Sequence, residues 1–339
     1  MSESQDQLNK QIVRSLWAGL DASNGESVEA AWQHLSAQHV FQGFDPISTL
    51  AGVSGFLHNY WLPLRNSFPD LVRHTHIFMA GQSNGRVDGD LSRDGQVWVG
   101  ATGLYEATFA RDYLGIPASG KSVSIRWGDF YRMVDGRIVE TYTLIDLIDL
   151  IQQVGIPVLP PSRGKDHIYP APAAKDGVMM AAQEPALTSA SLAHIREFIF
   201  QGLNRYDRSE LKSMGMARYF NPDVQWYGPG GIGACLGLRE FEELHQRPWL
   251  VAFPDRQVQN LTALIAEGAY LGGPGWAGVL ATHTGPYLEC PATNRRIAIN
   301  GMDWWKRSGD QYVENWVFVD MIHLFRQFDI DLLARIRRA

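Results

Sequence analysis

Cysteine is scarce in this chain, and long apolar runs are missing. Of 339 residues, only Cys235 and Cys290 carry a thiol. Two cysteines do not indicate a disulfide framework, and a structural zinc site would need further ligands. No apolar stretch reaches the length of a membrane span, and the N-terminal residues MSESQDQLNKQ lack the basic start and apolar run of a signal peptide. We therefore expect a cytoplasmic protein that makes no use of a membrane.

Basic residues are also in short supply. The chain has 30 Lys and Arg against 36 Asp and Glu, whereas a nucleic-acid binder concentrates positive charge. The glycine-rich run at 228–233 lacks the Lys and Ser or Thr that complete a phosphate loop, and no Ser lies in a nucleophile elbow. His74 and His76 have no third metal ligand at a supporting spacing. We expect neither a nucleic-acid partner nor a bound metal.

What the chain does contain is a long internal repeat. Residues 121–153 and 295–327 align without a gap. A repeat of this length indicates two copies of one domain, and 45% apolar residues are typical of a globular chain. The matched positions include Asp129 with Asp303, Glu140 with Glu314, Tyr142 with Trp316, Asp146 with Asp320, and Phe68-Pro69-Asp70 with Phe253-Pro254-Asp255.

Each copy begins with helical periodicity and ends with alternating strands. This order predicts an α+β domain in which a curved antiparallel sheet packs on N-terminal helices. We place the first domain at 1–154, a proline-rich linker at 155–187 and the second domain at 188–339. The expected helices are 5–20, 27–36 and 53–65, then one capped by Thr188, one near Ser209 and 238–250. Hairpin turns are expected at 134–137 and 308–311.

The strand before each hairpin carries one acidic residue on an apolar face. Alternate strand residues share a face, which groups Asp129 with Trp127 and Tyr131, and Asp303 with Trp305. A carboxyl group on an apolar wall is costly to ionise, so its pKa tends to rise into the range useful for acid–base catalysis. The alternative is a structural carboxylate, paired with Arg or backbone amides or turned outward by a bulge.

These residues resemble a known family. Gly115-Ile116-Pro117-Ala118-Ser119-Gly120-Lys121, Asp129 and Asp135-Gly136-Arg137-Ile138-Val139-Glu140 look like the C-terminal half of SnoaL-like polyketide cyclases. In the second copy, Thr282-His283-Thr284-Gly285-Pro286-Tyr287, Pro291-Ala292-Thr293, Asp303 and Glu314-Asn315-Trp316 resemble the same half. The resemblance implies two cone-shaped domains of the nuclear transport factor 2 superfamily, each with a deep apolar pocket.

The resemblance also implies roles for particular residues. It makes Asp303 the general acid–base residue of an aldol-type ring closure, assisted by His283, with no metal or organic cofactor. Asp129 takes the acid–base position of the first copy, where Phe109 stands in place of the histidine. A histidine in a strand is also commonly a packed core residue, which is the other interpretation of His283. The aromatic residues expected to bind a flat hydrophobic substrate are Trp305, Trp316, Tyr287, Trp226, Trp127 and Tyr131.

Three functions are compatible with this pattern. The leading hypothesis is a cofactor-independent cyclase, isomerase or dehydratase acting on a hydrophobic carbonyl compound. The second is a non-catalytic protein that binds small apolar molecules, and the third is a structural pair whose pockets are filled by side chains. A cavity reaching Asp303 and His283 would favour the first two, and closure by Trp305 and Trp316 the third. By analogy with the superfamily, the copies are expected to form an intrachain pseudo-dimer, and a homodimer is also compatible.

Overall fold

The computed structural model describes residues 4–22, 25–84, 94–207, 209–210 and 214–337. Within them the chain forms two compact units, one from 4–82, 95–145 and 170–183, the other from 83–84, 94, 146–169 and 184–337. Each unit combines one mixed sheet with helices, so the predicted tandem α+β architecture is confirmed. None of the helices in these residues is both long and apolar enough to cross a membrane.

The first unit has four helices, one π-helical turn and six strands. They are α1 (Gln5–Asp21), α2 (Gly25–Trp32), β1 (Leu35–Gln42), β2 (Thr49–Ala51), α3 (Gly52–Phe56), a π turn (Leu57–Trp61), α4 (Leu62–Ser67), β3 (Val72–Gln82), β4 (Val97–Thr108), β5 (Ser122–Val134) and β6 (Arg137–Ile145). The strand order is β2-β1-β6-β5-β4-β3, with β1 and β6 parallel and the other pairs antiparallel.

The predicted hairpin connects β5 to β6. Asp135 and Gly136 both have positive φ, which is the conformation of a two-residue turn that matches the twist of the flanking strands. Beyond a register shift between Arg132 and Met133, Asp129 lies opposite Thr143 on β6, and the pairing of β5 with β4 places it opposite Ala101. The long strands β4 and β5 therefore carry Asp129 in the middle of the sheet.

The second unit repeats this plan with additional elements. They are α5 (Leu147–Gln153), α6 (Pro185–Glu197), a π turn (Phe198–Leu203), α7 (Met216–Tyr219), β7 (Phe220–Tyr227), β8 (Cys235–Leu236), α8 (Leu238–Glu240), a π turn (Phe241–Gln246), α9 (Arg247–Ala252), β9 (Gln257–Val258), β10 (Ile265–Glu267), β11 (Tyr270–Thr282), β12 (Arg296–Ser308), β13 (Gln311–Val319), α10 (Met321–Arg326) and α11 (Leu332–Ile336). The sheet order is β10-β11-β12-β13-β7-β8, and β9 pairs with β11.

Two predicted helix boundaries are shifted, and each shift has a local cause. The helix expected at 27–36 ends at Trp32, because Leu35 already pairs with Ile138 as the start of β1. The helix that was expected to be capped by Thr188 begins at Pro185. A proline is tolerated there because the N–H groups in the first turn of a helix have no hydrogen-bond partner within the helix. The helix expected near Ser209 falls partly outside the described residues, and Ser209 itself is not helical.

The proline-rich segment between α5 and α6 contains no helix and no β-strand of a sheet. Part of it nevertheless has an ordered partner within the first unit. Phe78 donates its backbone N–H to the carbonyl of Gly177, and Met179 donates to the carbonyl of Phe78. Lys10 on α1 donates to the carbonyl of Met179. This part of the segment therefore adds a short parallel bridge to β3.

Candidate functional site

The second unit contains a cavity of about 180 Å³ that reaches Asp303. It lies between the concave face of the sheet and the helical segments 198–203 and 241–250, and most of its wall is aliphatic or aromatic. The polar side chains on the wall are those of His245, Gln246, Arg256, Asp303 and Asn315. An apolar cavity with a few converging polar groups is the common form of a small-molecule site.

Asp303 lies on β12, and the strand pattern explains its position. Ile299, Gly301 and Trp305 line the cavity with it, as expected for alternate residues of one strand. The Asn315 side chain donates a long hydrogen bond of 3.5 Å to Asp303 Oδ1 and a shorter one of 3.0 Å to the carbonyl of Trp304. Burial raises the pKa of Asp303 to about 7, although the Asn315 hydrogen bond and the positive charge of Arg256 both oppose this change.

Arg256 is the cation of the cavity. Its side chain is buried, and Nη1 donates a hydrogen bond of 2.7 Å to the carbonyl of Leu203 at the end of the first helical segment. Burial lowers the pKa of Arg256 to about 10, so the guanidinium remains charged at neutral pH. A positive charge beside a carboxyl with a raised pKa gives the cavity one group to exchange a proton and one to stabilise negative charge.

His245 is a neutral polar group on the same wall. His245 lies in the helical segment that closes the cavity. Its ring stacks on that of Trp226 on β7, with the ring centroids 4.2 Å apart. Burial lowers the pKa of His245 to about 3, and the charge of Arg256 adds to the effect. At neutral pH the imidazole is therefore uncharged and can donate or accept one hydrogen bond without adding charge to the cavity.

The aromatic residues expected at the substrate site fall in three places. Trp226 and Trp305 line the cavity with Asp303. Trp316 is fully buried and packs against Tyr227, 5.4 Å between centroids, and it is not among the cavity residues. Tyr287 lines a neighbouring cavity instead. The structure therefore brings two of the four second-copy aromatics to Asp303.

His283 does not reach the cavity. It follows the end of β11, where Thr282 pairs with Arg296, and Asp303 lies seven residues further along β12, roughly 23 Å away. The His283 ring stacks on Phe328 at 4.0 Å and its Nδ1 lies 3.1 Å from Thr293 Oγ1. The structure thus corrects the assisting role taken from the resemblance, because a side chain at the far end of the sheet cannot relay a proton to Asp303.

The first unit has almost no cavity at the equivalent place. A space of about 20 Å³ borders Asp129, enough for about one water molecule. Asp129 accepts hydrogen bonds of 2.6 Å from the hydroxyls of Tyr131 and Thr143, and Trp17 donates to the Tyr131 hydroxyl at 2.8 Å. Burial raises the pKa of Asp129, while Arg73 and the two hydroxyl hydrogen bonds oppose it. This geometry favours a structural role for Asp129.

A buried cation and four aromatic rings pack together in the interior of the first unit. The Arg73 guanidinium forms two hydrogen bonds of 2.9 Å with Asp21 and one of 2.8 Å with the Tyr105 hydroxyl. The rings within 5.5 Å of its central carbon are those of Trp17, Trp61, Tyr105 and Trp127. Trp127 and Tyr131, both expected to bind substrate, are therefore part of this buried network.

The repeat explains why the cavity at Asp303 is larger than the space at Asp129. Positions that carry large aromatic rings in the first copy carry smaller side chains in the second. Tyr105 pairs with Ile125 as Val279 pairs with Ile299, so Tyr105 and Val279 are equivalent. The substitutions, first copy then second, are Trp61 to Gln246, Tyr105 to Val279 and Trp127 to Gly301. Loss of ring volume at three converging positions leaves the cavity.

The same comparison reveals residues that the pattern on β12 alone did not predict. Counted from the Phe-Pro-Asp motifs, Tyr60 and Leu71 of the first copy become His245 and Arg256 in the second. Thr141 on β6 is equivalent to Asn315 on β13, so a threonine in the first copy is replaced by an asparagine in the second. The sequence signal for these cavity residues would have been the replacement of residues in the first copy by more polar residues at equivalent positions of the second.

Refilling the cavity should remove ligand binding. We expect Val279→Tyr, which restores the first copy's residue, to weaken binding of the flat neutral probe β-naphthol by roughly tenfold or more, because the added ring occupies volume that the probe needs. Fluorescence anisotropy of the probe measures this. Leu280→Tyr makes a comparable addition on the opposite face of the same strand and should leave binding intact. Equal binding by both variants would show that the probe does not use the cavity.

Comparisons with known proteins agree with this architecture. The family model of the SnoaL-like polyketide cyclases matches residues 18–154 and again 203–328. The chain therefore belongs to the SnoaL-like polyketide cyclase family, in two tandem copies. No match was found among proteins of curated function.

Three similar solved structures each correspond to less than half of this chain. AclR from Streptomyces galilaeus, a candidate hydroxylase, is 22% identical over 42% of this chain and 82% of its own, with a TM-score of 0.35. A candidate SnoaL-like polyketide cyclase from Jannaschia sp. CCS1 is 18% identical over 46% and 99%, with a TM-score of 0.34. IdmH from Streptomyces antibioticus, a candidate polyketide cyclase, is 17% identical over 44% and 99%, also at 0.34.

Proposed function

We propose that the second domain catalyses proton transfer at carbon next to the carbonyl of a flat, hydrophobic compound, with Asp303 as the acid–base residue. The observation that carries this proposal is a carboxyl with a raised pKa on the wall of an otherwise apolar cavity. A pKa near the working pH gives a group that both takes and returns a proton. Ring closure, isomerisation and dehydration of such compounds all begin with this step.

The residues of the cavity suffice for that step. The Asp303 carboxylate takes the proton from the α-carbon, and the electron pair of the C–H bond moves to give an enolate with negative charge on oxygen. Asp303 becomes a neutral acid, and it later returns the proton to carbon or to a leaving hydroxyl. The fixed charge of Arg256 lowers the energy of the enolate, and neutral His245 or Asn315 offers a hydrogen bond without adding charge.

A ligand-binding protein without catalysis is the second candidate. The same cavity, with Trp226 and Trp305 on its wall, would enclose a small apolar molecule whether or not Asp303 reacts. The two candidates differ in one observable quantity, which is the exchange of α-hydrogen in a bound ketone. Both are assigned to the second domain, since the first has space for about one water.

Hydrogen exchange tests the proposal without knowledge of the natural substrate. β-Tetralone is a flat bicyclic ketone with acidic α-hydrogens, and in D₂O it gains deuterium when a base removes and returns a proton. We expect the wild-type protein to accelerate this gain, measured by NMR, and Val279→Tyr to abolish the acceleration. Binding of β-tetralone without accelerated exchange would support the binding protein and contradict the catalyst.

A further inference from the structure

A second cavity of about 200 Å³ adjoins the first and has a different chemistry. Its wall includes the exposed side chains of Arg163 and Arg247, and no acidic residue among the described residues lines it. Neither arginine forms an ion pair or hydrogen bond with a described residue. By contrast, Lys165 nearby in sequence is already paired with Glu240 at 2.7 Å. The second cavity therefore holds two positive charges that have no counter-ion in the described part of the chain.

The second cavity also contains a buried phenol hydroxyl. The ring of Tyr287 lines it, and the Tyr287 hydroxyl is buried with no hydrogen-bond partner among the described residues. The charge of Arg163 acts on this hydroxyl. Buried polar groups in native proteins are nearly always paired, and such an orphan donor is commonly satisfied by a bound acceptor. Two free guanidinium groups and a phenol together suit an anionic oxygen group.

His245 lies between the two cavities. Its side chain belongs to the wall of the Asp303 cavity and also to the wall of the arginine cavity. The two residues that follow it line one cavity each: Gln246 lines the Asp303 cavity and Arg247 lines the second cavity. A ligand that occupies both cavities would have to pass His245 to reach the arginines.

We propose that the second domain selects an amphipathic substrate, a hydrophobic ketone that carries a carboxylate, with its rings beside Asp303 and its carboxylate between Arg163 and Arg247. This inference rests on the proposed function, because it places the reactive carbonyl in the Asp303 cavity. Arginine suits this position, since its planar guanidinium matches the two oxygens of a carboxylate. The arginines act in binding and specificity, whereas Asp303 acts on the reacting carbon.

A matched pair of ligands tests the inference. Naphthoylpropionate has a flat ring, a ketone with α-hydrogens and a carboxylate two carbons further, and its methyl ester differs only in charge and one methyl group. We expect the acid to bind wild-type protein about tenfold more tightly than the ester, since hydrogen bonds to charged groups contribute more than neutral ones. Isothermal titration calorimetry gives both dissociation constants.

The double variant Arg163→Gln and Arg247→Gln should remove the preference for the acid and leave binding of the ester unchanged. Arg239→Gln is the control, because Arg239 is 90% exposed, lies 3.9 Å from Glu243 and lines neither cavity. Rising salt should also weaken acid binding more than ester binding. Equal affinities for acid and ester in the wild type, or a preference that survives in the double variant, would overturn the inference.

The outcomes separate this inference from the proposed function. If the acid and ester bind equally and both exchange their α-hydrogens, the carboxylate site is wrong while the catalyst stands. If the acid is preferred through the arginines but neither ligand exchanges faster than in buffer, the selective site stands and the catalyst is wrong.

Discussion

Asp303→Asn is expected to lower the protein-catalysed deuterium exchange of β-tetralone by about 10²- to 10⁴-fold, the usual contribution of a positioned acid–base group. Asparagine keeps the shape of the side chain and can still contact Asn315, but it cannot take a proton at neutral pH. In the wild type the exchange rate should rise with pH and level off above the pKa of about 7. NMR of the ketone at several pH values measures both effects.

The repeat supplies a matched variant for this experiment. Asp129→Asn makes the same change at the equivalent position of the first domain, where Tyr131 and Thr143 enclose the carboxyl. We expect this variant to keep the exchange activity of its folded fraction, while Asp303→Asn loses it. If Asp129→Asn abolished exchange and Asp303→Asn did not, the assignment of the reactive cavity to the second domain would be wrong.

Asp303→Asn should also stabilise the second domain at pH 8. A carboxyl whose pKa is about 7 in the folded state and about 3.9 when unfolded favours the folded state most when it is protonated. That advantage is fully present below about pH 4 and is lost as the pH rises toward 7. At pH 8 the ionised group therefore costs on the order of 4 kcal/mol, which the neutral amide avoids.

Calorimetry at two pH values measures this gain. The transition of the second domain can be recognised by its upward shift with β-naphthol, since a ligand of the folded state stabilises it. We expect the variant to melt well above the wild type at pH 8 and close to it at pH 4. The Asp129→Asn variant offers a comparison, because there the lost hydrogen bonds to Tyr131 and Thr143 offset any relief. A variant of Asp303 that melted lower than the wild type at pH 8 would contradict the account.

Much of the fold follows from local patterns in the sequence. The repeat predicted two domains, the order of helices and strands predicted the α+β class, and Asp135-Gly136 predicted the hairpin that connects β5 to β6. Alternation along β12 correctly grouped Asp303 with Trp305 on one face. These features depend on neighbouring residues or on one strand, which a sequence shows directly.

The cavity itself depends on residues that are distant in the sequence. Gln246, Val279 and Gly301 come from a helix and two strands, and their convergence is visible only once the sheet is assembled. The irregularity in β11 between Gly275 and Val279 shifts the alignment of the copies for the residues before it, so Ala101 corresponds to Gly273 only through the strand pairing.

The expected role of His283 beside Asp303 was misplaced for a related reason. An ungapped alignment places it on Phe109, and the structure shows what the two residues share. Phe109 stacks on Phe68 at 4.7 Å, and His283 lies 5.4 Å from Phe253, the equivalent phenylalanine. Both rings therefore pack against the Phe-Pro-Asp turn, which is a structural role. Burial lowers the pKa of His283, in keeping with a neutral packed ring.

The pKa of Asp303 is the quantity on which the proposed mechanism depends most directly. A ¹³C NMR titration of the side-chain carboxyl groups, with the Asp303 resonance assigned from its absence in Asp303→Asn, measures it. We predict a titration near pH 7, caused by burial in the apolar wall of the Asp303 cavity. A titration at or below the ordinary value of about 3.9 would show that the folded protein stabilises the anion, and the general acid–base role of Asp303 would then be wrong.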